Sequence, residues 1–271
     1  MSIKNVALIT GASSGMGIHY AEQLYALGYN VLLVSNQESA LKEVAAQIVE
    51  KHPDAASKGL IADTLYMDLA ERDAAARCME YCNGKDYEVE ILINNAGVYF
   101  FFKDLLDCSQ KQVDLILNLH IYTLTALCRL FGEQMRRRRH GYILNVSSIS
   151  TNTPFAAISL YSATKAYIRN ITKALRLEMY EYGVRVMVVT PGAVATDLYN
   201  LDKKLQNLGV HLGFIIRPKT LVKRTLRHLL HRRCREYIPG FASLFYKPVY
   251  NAFPLGFKLW VRKKTADMRN K

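Results

Sequence analysis

The chain is short of several things that would assign a protein class at once. Its five cysteines include no CxxC pair and no zinc-like spacing. Cys78 and Cys82 fall on one helical face, and Cys108, Cys128 and Cys234 stand alone. That pattern predicts reduced thiols in a cytoplasmic protein rather than a disulfide framework. The seven histidines show no metal-ligand spacing, so no metal is expected. No apolar run reaches the ~20 residues of a membrane span. The opening MSIKNVALIT leads into a glycine turn and lacks a cleavable apolar segment, so no secretory leader is expected. Repeats, low-complexity tracts and linkers are missing as well, and residues 1–271 read as one domain.

Acidic residues are scarce in one place. Residues 1–200 carry 19 Lys/Arg against 20 Asp/Glu, whereas residues 201–271 carry 17 against 3. The whole net charge of +13 therefore resides in the last quarter, which is a statement about partners rather than about fold. No nucleic-acid-binding motif accompanies this charge, so nucleic acid is not the expected partner.

What is present is a rhythm. VALIT, NVLLV, EILIN, YILNV and VRVMVV read as buried parallel strands, and GLIADTLYM contains a further one. Amphipathic stretches at 17–27, 38–51, 71–82, 105–136 and 160–182 lie between them. Alternation of this kind predicts an α/β fold, a doubly wound parallel sheet with helices on both faces. Ligands of such sheets bind beyond the carboxyl ends of the strands. The segments predicted there are TGASSGMG, NNAG, SS and PGAVATD.

TGASSGMG, residues 10–17, follows a strand and opens a helix. Gly11 suits a tight turn, Gly15 a close backbone approach, and Gly17 the packing of helix on strand. Free N–H groups at the helix start then favour a pyrophosphate. The spacing is GxxxGxG, not the commoner GxGxxG, and alone it is modest support for dinucleotide binding.

Taken in order, TGxxxGxG, NNAG, a serine, YxxxK and PG make the sequence resemble the short-chain dehydrogenase/reductase family over about residues 3–240. The resemblance implies a Rossmann-type oxidoreductase with a nicotinamide cofactor. It also implies the catalytic set Asn118, Ser148, Tyr161 and Lys165. Tyr161 and Lys165, four apart in YSATK, share one helical face. A free tyrosine has a pKa of ~10, and bringing it to about 7 takes roughly 4 kcal/mol, which a close cation, helped by the positive nicotinamide of the oxidised cofactor, can supply. Tyr161 would then exchange a proton with a carbonyl or alcohol oxygen, and Lys165 would also hold the nicotinamide ribose. Ser148, 13 residues before Tyr161, would hydrogen-bond the substrate oxygen in preference to Ser147. Asn118 in LNLH would anchor a water relay through Lys165.

The implied cofactor residues are Gly11, Ser13, Ser14, Gly15, Met16 and Gly17 of the first turn; Ser35 and Asn36 after the second strand; Asp68 and Leu69; and Asn95, Ala96 and Gly97. Tyr161 and Lys165 join them, with Pro191, Gly192, Val194 and Thr196 holding the carboxamide. Asp68 also suits a helix N-cap. The segment LLVSNQ has no carboxylate to repel a 2′-phosphate and no arginine to bind one. NADP(H) is accordingly favoured over NAD(H), which stays open.

Apolar residues in the expected substrate lid, about 197–217, together with Tyr99, Phe155 and Leu198, suggest a lipophilic small-molecule substrate. The basic aromatic extension from about 241 to 271 could lie on anionic membrane, pack on a second subunit or cover the site. A homo-oligomer, dimer or tetramer, is the expectation that goes with the family. The competing reading from a different class is a cofactor-binding scaffold or sensor without turnover, and the intact catalytic set speaks against it.

Overall fold

In the computed structural model, the described residues are 4–100, 103–152, 157–195, 215–232, 234–240, and 254, 256, 259, 260 and 263. Seven strands form one parallel sheet: β1 (Lys4–Thr10), β2 (Asn30–Ser35), β3 (Ala62–Tyr66), β4 (Tyr87–Asn94), β5 (Gly141–Val146), β6 (Val184–Val189) and the short β9 (Glu236–Tyr237). Their order is β3-β2-β1-β4-β5-β6-β9. The chain winds outward one way from β1, then returns to build the other half from β4. The reversal between β1 and β4 opens a crevice at the strands' carboxyl ends, where this architecture takes its ligands. A separate parallel pair, β7 (Ala193–Val194) with β8 (Ile215–Ile216), lies after β6.

The inner parts of β1, β2, β4, β5 and β6 are apolar and buried because both faces of the sheet are covered there, whereas β3, at the edge, is only partly buried. In β1, Ala7 and Ile9 enter one core while Val6 and Leu8 enter the other. The first core is closed by α1 (Gly15–Ala26), α2 (Glu38–Lys51) and α8 (Pro218–His231). Along α8, Leu221, Val222, Leu226 and Leu229 are buried and Leu230 is partly buried, while Lys219, Lys223 and Arg227 are exposed. The second core is closed by α4 (Ala74–Gly84), α6 (Leu124–Arg138) and α7 (Ser159–Glu178). A short α3 (Pro53–Ser57) follows α2, and α5 (Gln110–Leu117) precedes α6. All five cysteines are free thiols, and Cys78 and Cys82 share the buried face of α4.

Two expectations need correction. The stretch 105–136 is not one α-helix: a 3-10 turn at Leu105–Asp107 precedes α5, and a π-helical segment, Asn118–Thr123, joins α5 to α6. Read as a unit, Gln110–Arg138 is also long and apolar enough to cross a membrane by length and composition, contrary to the expectation of no such run. Here its apolar side is spent on the second core through Leu124, Leu127, Phe131 and Met135.

Candidate active site

The glycine turn is built by close approach. Gly11 has φ +64°, and a Cβ on it would stand 2.8 Å from Ala96 Cα, inside contact distance. A Cβ on Gly17 would lie 2.1 Å from the Gly11 carbonyl oxygen. Any side chain at either position would push the first turn away from the NNAG turn or from α1. Thr10 fastens the two turns together: its Oγ1 accepts from the N–H groups of Asn95 and Ala96 at 2.9 and 3.0 Å. Asn95 Nδ2 donates back to the Thr10 carbonyl at 3.0 Å. Ser14 stands at the N-cap position of α1 in extended conformation without a side-chain capping bond, and the first turn of that helix carries no acidic residue. The positive end of the helix dipole therefore faces the crevice uncompensated by any carboxylate of its own first turn, as an anionic pyrophosphate requires.

A cavity of about 480 Å³ runs from this turn to the second half of the sheet. Gly11, Ser14, Gly15 and Met16 line one end, and Asn95, Ala96 and Gly97 the middle. Ser148, Tyr161, Lys165, Pro191, Gly192 and Val194 line the other end. These expected residues, far apart in sequence, thus meet in one space. The residues present suit a dinucleotide: a glycine cradle with free helix N–H groups at one end, and a buried tyrosine–lysine pair at the other.

Several expected residues lie outside the cavity lining. Ser13 and Ser35 share a hydroxyl–hydroxyl bond of 2.8 Å that ties the glycine turn to the end of β2. Asn36 is exposed, and its neighbour Gln37 lines the cavity instead. Gly17 packs within the turn. Asp68 Oδ1 accepts from Ala70 N–H at 2.9 Å, a local turn contact, and Leu69 is buried in the second core. Asn118 begins the π-helical segment. Tyr99 packs edge-on against Tyr161, ring centroids 5.0 Å apart. Thr196, Phe155 and Leu198 lie outside the described residues, as do nearly all of the lid and most of the C-terminal extension.

Tyr161 and Lys165 stand on the buried face of α7, with exposures of 7% and 4%. Lys165 Nζ lies 5.6 Å from the centre of the Tyr161 ring and donates to the Val146 carbonyl at 3.0 Å. Burial lowers its pKa to about 8, so it remains predominantly cationic at neutral pH. The two serines divide their work. Ser147 Oγ donates to the Lys165 carbonyl at 2.8 Å, anchoring α7 to the end of β5. Ser148 Oγ accepts from Ser150 N–H at 3.2 Å, which leaves its own proton to be given elsewhere.

Sequence reasoning gave no histidine a role, yet His120 is fully buried at the back of this site. Its ring centre lies 5.9 Å from that of Tyr161. The available signal was a histidine two places after Asn118 within the otherwise apolar LILNLHIYTL. Gln37, Val98 and Val146 are further lining residues that the motifs did not single out.

Comparison with known proteins gives the family and the fold. The family signature described as short chain dehydrogenase matches residues 5–206. A very-long-chain 3-oxoacyl-CoA reductase of Anas platyrhynchos is 32% identical over 202 residues, 73% of this chain and 62% of that protein. The 17-beta-hydroxysteroid dehydrogenase type 3 of Mus musculus is 32% identical over 194 residues, 71% of this chain and 61% of that protein. The matched region thus spans less than two thirds of the length of either relative. Among solved structures, a short-chain dehydrogenase from Sphingobium yanoikuyae in complex with NADPH superposes with a TM-score of 0.76 at 27% identity, over 92% of each chain. With the ordered motifs gathered in one crevice and the signature covering most of its length, the chain belongs to the short-chain dehydrogenase family, oxidoreductases that act on CH–OH and C=O groups with NAD(P).

Proposed function

We propose that this protein is an NADP(H)-dependent oxidoreductase that interconverts a ketone and a secondary alcohol on a lipophilic substrate, with Tyr161 as general acid and base. The observation that carries the reading is the buried Tyr161–Lys165 pair at one end of a cavity whose other end is a glycine cradle. When bound, the nicotinamide group supplies or accepts the hydride. Ser14, Gly15 and Met16 hold the phosphates at the start of α1. Asn95, Ala96, Gly97, Pro191, Gly192 and Val194 shape the nicotinamide end.

In the reducing direction the Tyr161 hydroxyl gives its proton to the carbonyl oxygen as that oxygen gains negative charge. The Lys165 cation, held beside the ring, lowers the cost of the phenolate that remains. Ser148 donates a hydrogen bond to the same oxygen and fixes its position. In the oxidising direction the phenolate takes the alcohol proton. Burial of the pair excludes water and strengthens each of these interactions.

Three features support the finer assignments. The segment after β2 brings Gln37, an amide, to the cavity where a carboxylate would repel a 2′-phosphate, and this favours NADP(H). The two relatives named above act on acyl-CoA and steroid substrates by their names. Ten of the 21 residues in the expected lid, 197–217, are aliphatic or aromatic. Steroid, 3-oxoacyl and 3-ketosphingoid carbonyls all fit this description. We place the protein in the cytoplasm, as a homo-oligomer, with its basic extension on a second subunit or an anionic membrane surface.

The test is a panel holding one carbonyl compound of each of these types, run with NADPH and NADH in parallel. Oxidation of NADPH by at least one of them, abolished in Tyr161→Phe, is the expected result. Turnover that survives Tyr161→Phe in a folded protein rejects the mechanism.

A further inference from the structure

His120 makes two hydrogen bonds, and together they fix its proton. Val98 N–H donates to Nε2 at 3.0 Å, so Nε2 is the bare nitrogen. The ring's proton must then sit on Nδ1, which lies 2.9 Å from Thr164 Oγ1. Thr164 can accept it, because its own hydroxyl proton is given to the Tyr161 carbonyl at 2.8 Å. The donors all point one way: Val98 N–H to imidazole, imidazole to threonine, threonine to the main chain of Tyr161. The chain links the turn after β4, which lines the cavity, to the helix residue that carries the phenol.

The surroundings favour the neutral ring. Burial, with the Lys165 cation second, holds the imidazole well below its usual titration range. The titratable groups shown against it are Lys165 and Tyr161 of α7. A Cβ placed on Gly97 would stand 3.0 Å from His120 Nε2 and 3.5 Å from Lys165 Nζ, so imidazole and ammonium crowd the same point of the turn. Protonation would replace the acceptor facing Val98 with a donor and bring a second cation beside Lys165. The ring enters from Asn118–Thr123, where the helix is π-helical, and such interruptions recur at functional sites.

We propose that His120 is a positioning residue for Tyr161, acting as a neutral, Nδ1-protonated link that holds the Gly97–Val98 turn and the Tyr161 backbone in fixed register. It transfers no proton to substrate. The proposal rests on the reading of Tyr161 as the proton donor, but the hydrogen-bond chain itself can be tested without turnover.

The first experiment is ¹⁵N NMR of the full chain, with His120→Leu used to assign the ring. The expected result is a neutral ring protonated at Nδ1, unchanged across the range where a free imidazole titrates, about pH 5.5 to 7.5. An Nε2-protonated ring, or titration within that range, overturns the proposal.

The second experiment divides the two bonds. His120→Gln can keep an acceptor toward Val98, His120→Asn can keep a donor toward Thr164, and His120→Leu removes both. With NADPH and the panel compound turned over fastest, His120→Leu should lose about tenfold or more in kcat with KM for the carbonyl compound within about twofold, as misplacement of a reacting group predicts. Gln or Asn should recover part of the loss. Undiminished kcat in His120→Leu overturns the proposal, as does a loss confined to KM. Should His120→Leu not fold, wild-type kcat in both His120→Gln and His120→Asn would overturn it equally. Should no panel compound be turned over, the functional reading fails, while the NMR result still decides the link.

Discussion

Replacing Lys165 with methionine should stabilise the fold while removing turnover. Lys165 is 4% exposed, and burial takes its pKa from 10.5 to about 8. At about 1.4 kcal/mol per unit, the buried cation costs the native state about 3 kcal/mol at neutral pH. Methionine has a similar reach and no charge, but it abandons the bond to the Val146 carbonyl, a loss of about 1 kcal/mol. The net expectation at pH 7 is a gain of about 2 kcal/mol, or roughly 4–8 °C in Tm for a chain of this size. The pH dependence follows from the order of the two pKa values. Below the folded value of about 8 both states are protonated and the cost is full. Between there and 10.5 the unfolded chain binds more protons, so wild-type stability rises with pH. Above 10.5 the cost is gone. The advantage of Lys165→Met should therefore shrink across that interval and reverse slightly beyond it. Urea unfolding of both proteins at pH 7 and pH 10 measures the double difference, in which other titrating groups cancel. A Lys165→Met protein less stable at pH 7, or an advantage independent of pH, would refute the reasoning. Turnover assayed beside it should fall by at least about a hundredfold, because Tyr161 loses its cation.

Tyr161→Phe should keep NADPH binding, measured by cofactor fluorescence, and lose at least about a hundredfold in kcat; a folded mutant with near-normal kcat would remove Tyr161 from the mechanism. Direct titration should show NADPH binding more tightly than NADH, and the reverse order would reject the argument from the missing carboxylate after β2. Glu236, on β9, meets Arg169 and Lys173 of α7 at 2.5 and 2.6 Å and Thr190 at 2.9 Å. Burial alone would raise its pKa, but the hydrogen bonds from Arg169, Lys173 and Thr190 bring it to about 2. Glu236→Gln should therefore cost about 3 kcal/mol at pH 7, and wild type should lose that contribution as pH falls from 4.5 through about 2; equal urea midpoints for the two proteins at pH 7 would contradict this. Deleting residues 241–271 should change either the oligomer mass or the sedimentation with anionic liposomes, the latter only at low salt, and a soluble truncation that alters neither would end the interaction-surface idea.

Two kinds of site residue were legible in the sequence: the motif side chains Ser148, Tyr161 and Lys165, and the positions where backbone chemistry leaves no choice. Gly11 and Gly17 are glycine because a Cβ would meet backbone at 2.8 and 2.1 Å, and such positions leave a fixed mark in the text of a chain. The strands were legible for a similar reason. A strand such as VRVMVV, with five of its six residues buried between helices on both faces, has few alternatives. The π-helical segment was not legible, because shifting from i+4 to i+5 bonding over Asn118–Thr123 leaves the apolar pattern of α5 and α6 almost intact. β9 was missed because a two-residue strand on the edge needs no periodicity; its place is set by Glu236 pairing with α7. His120 was missed for the most instructive reason. A lone histidine in an apolar helix is ordinarily a core residue with its two nitrogens satisfied, and that description still fits it. What distinguishes this one is where the satisfying partners lie: the N–H of a turn that lines the cavity, and a threonine bonded to the backbone of Tyr161. Spacing along a chain encodes which residues share a helical face. It does not encode the direction in which a hydrogen-bond chain runs across three elements, and that direction is what makes a satisfied core histidine a candidate for holding the catalytic tyrosine in place.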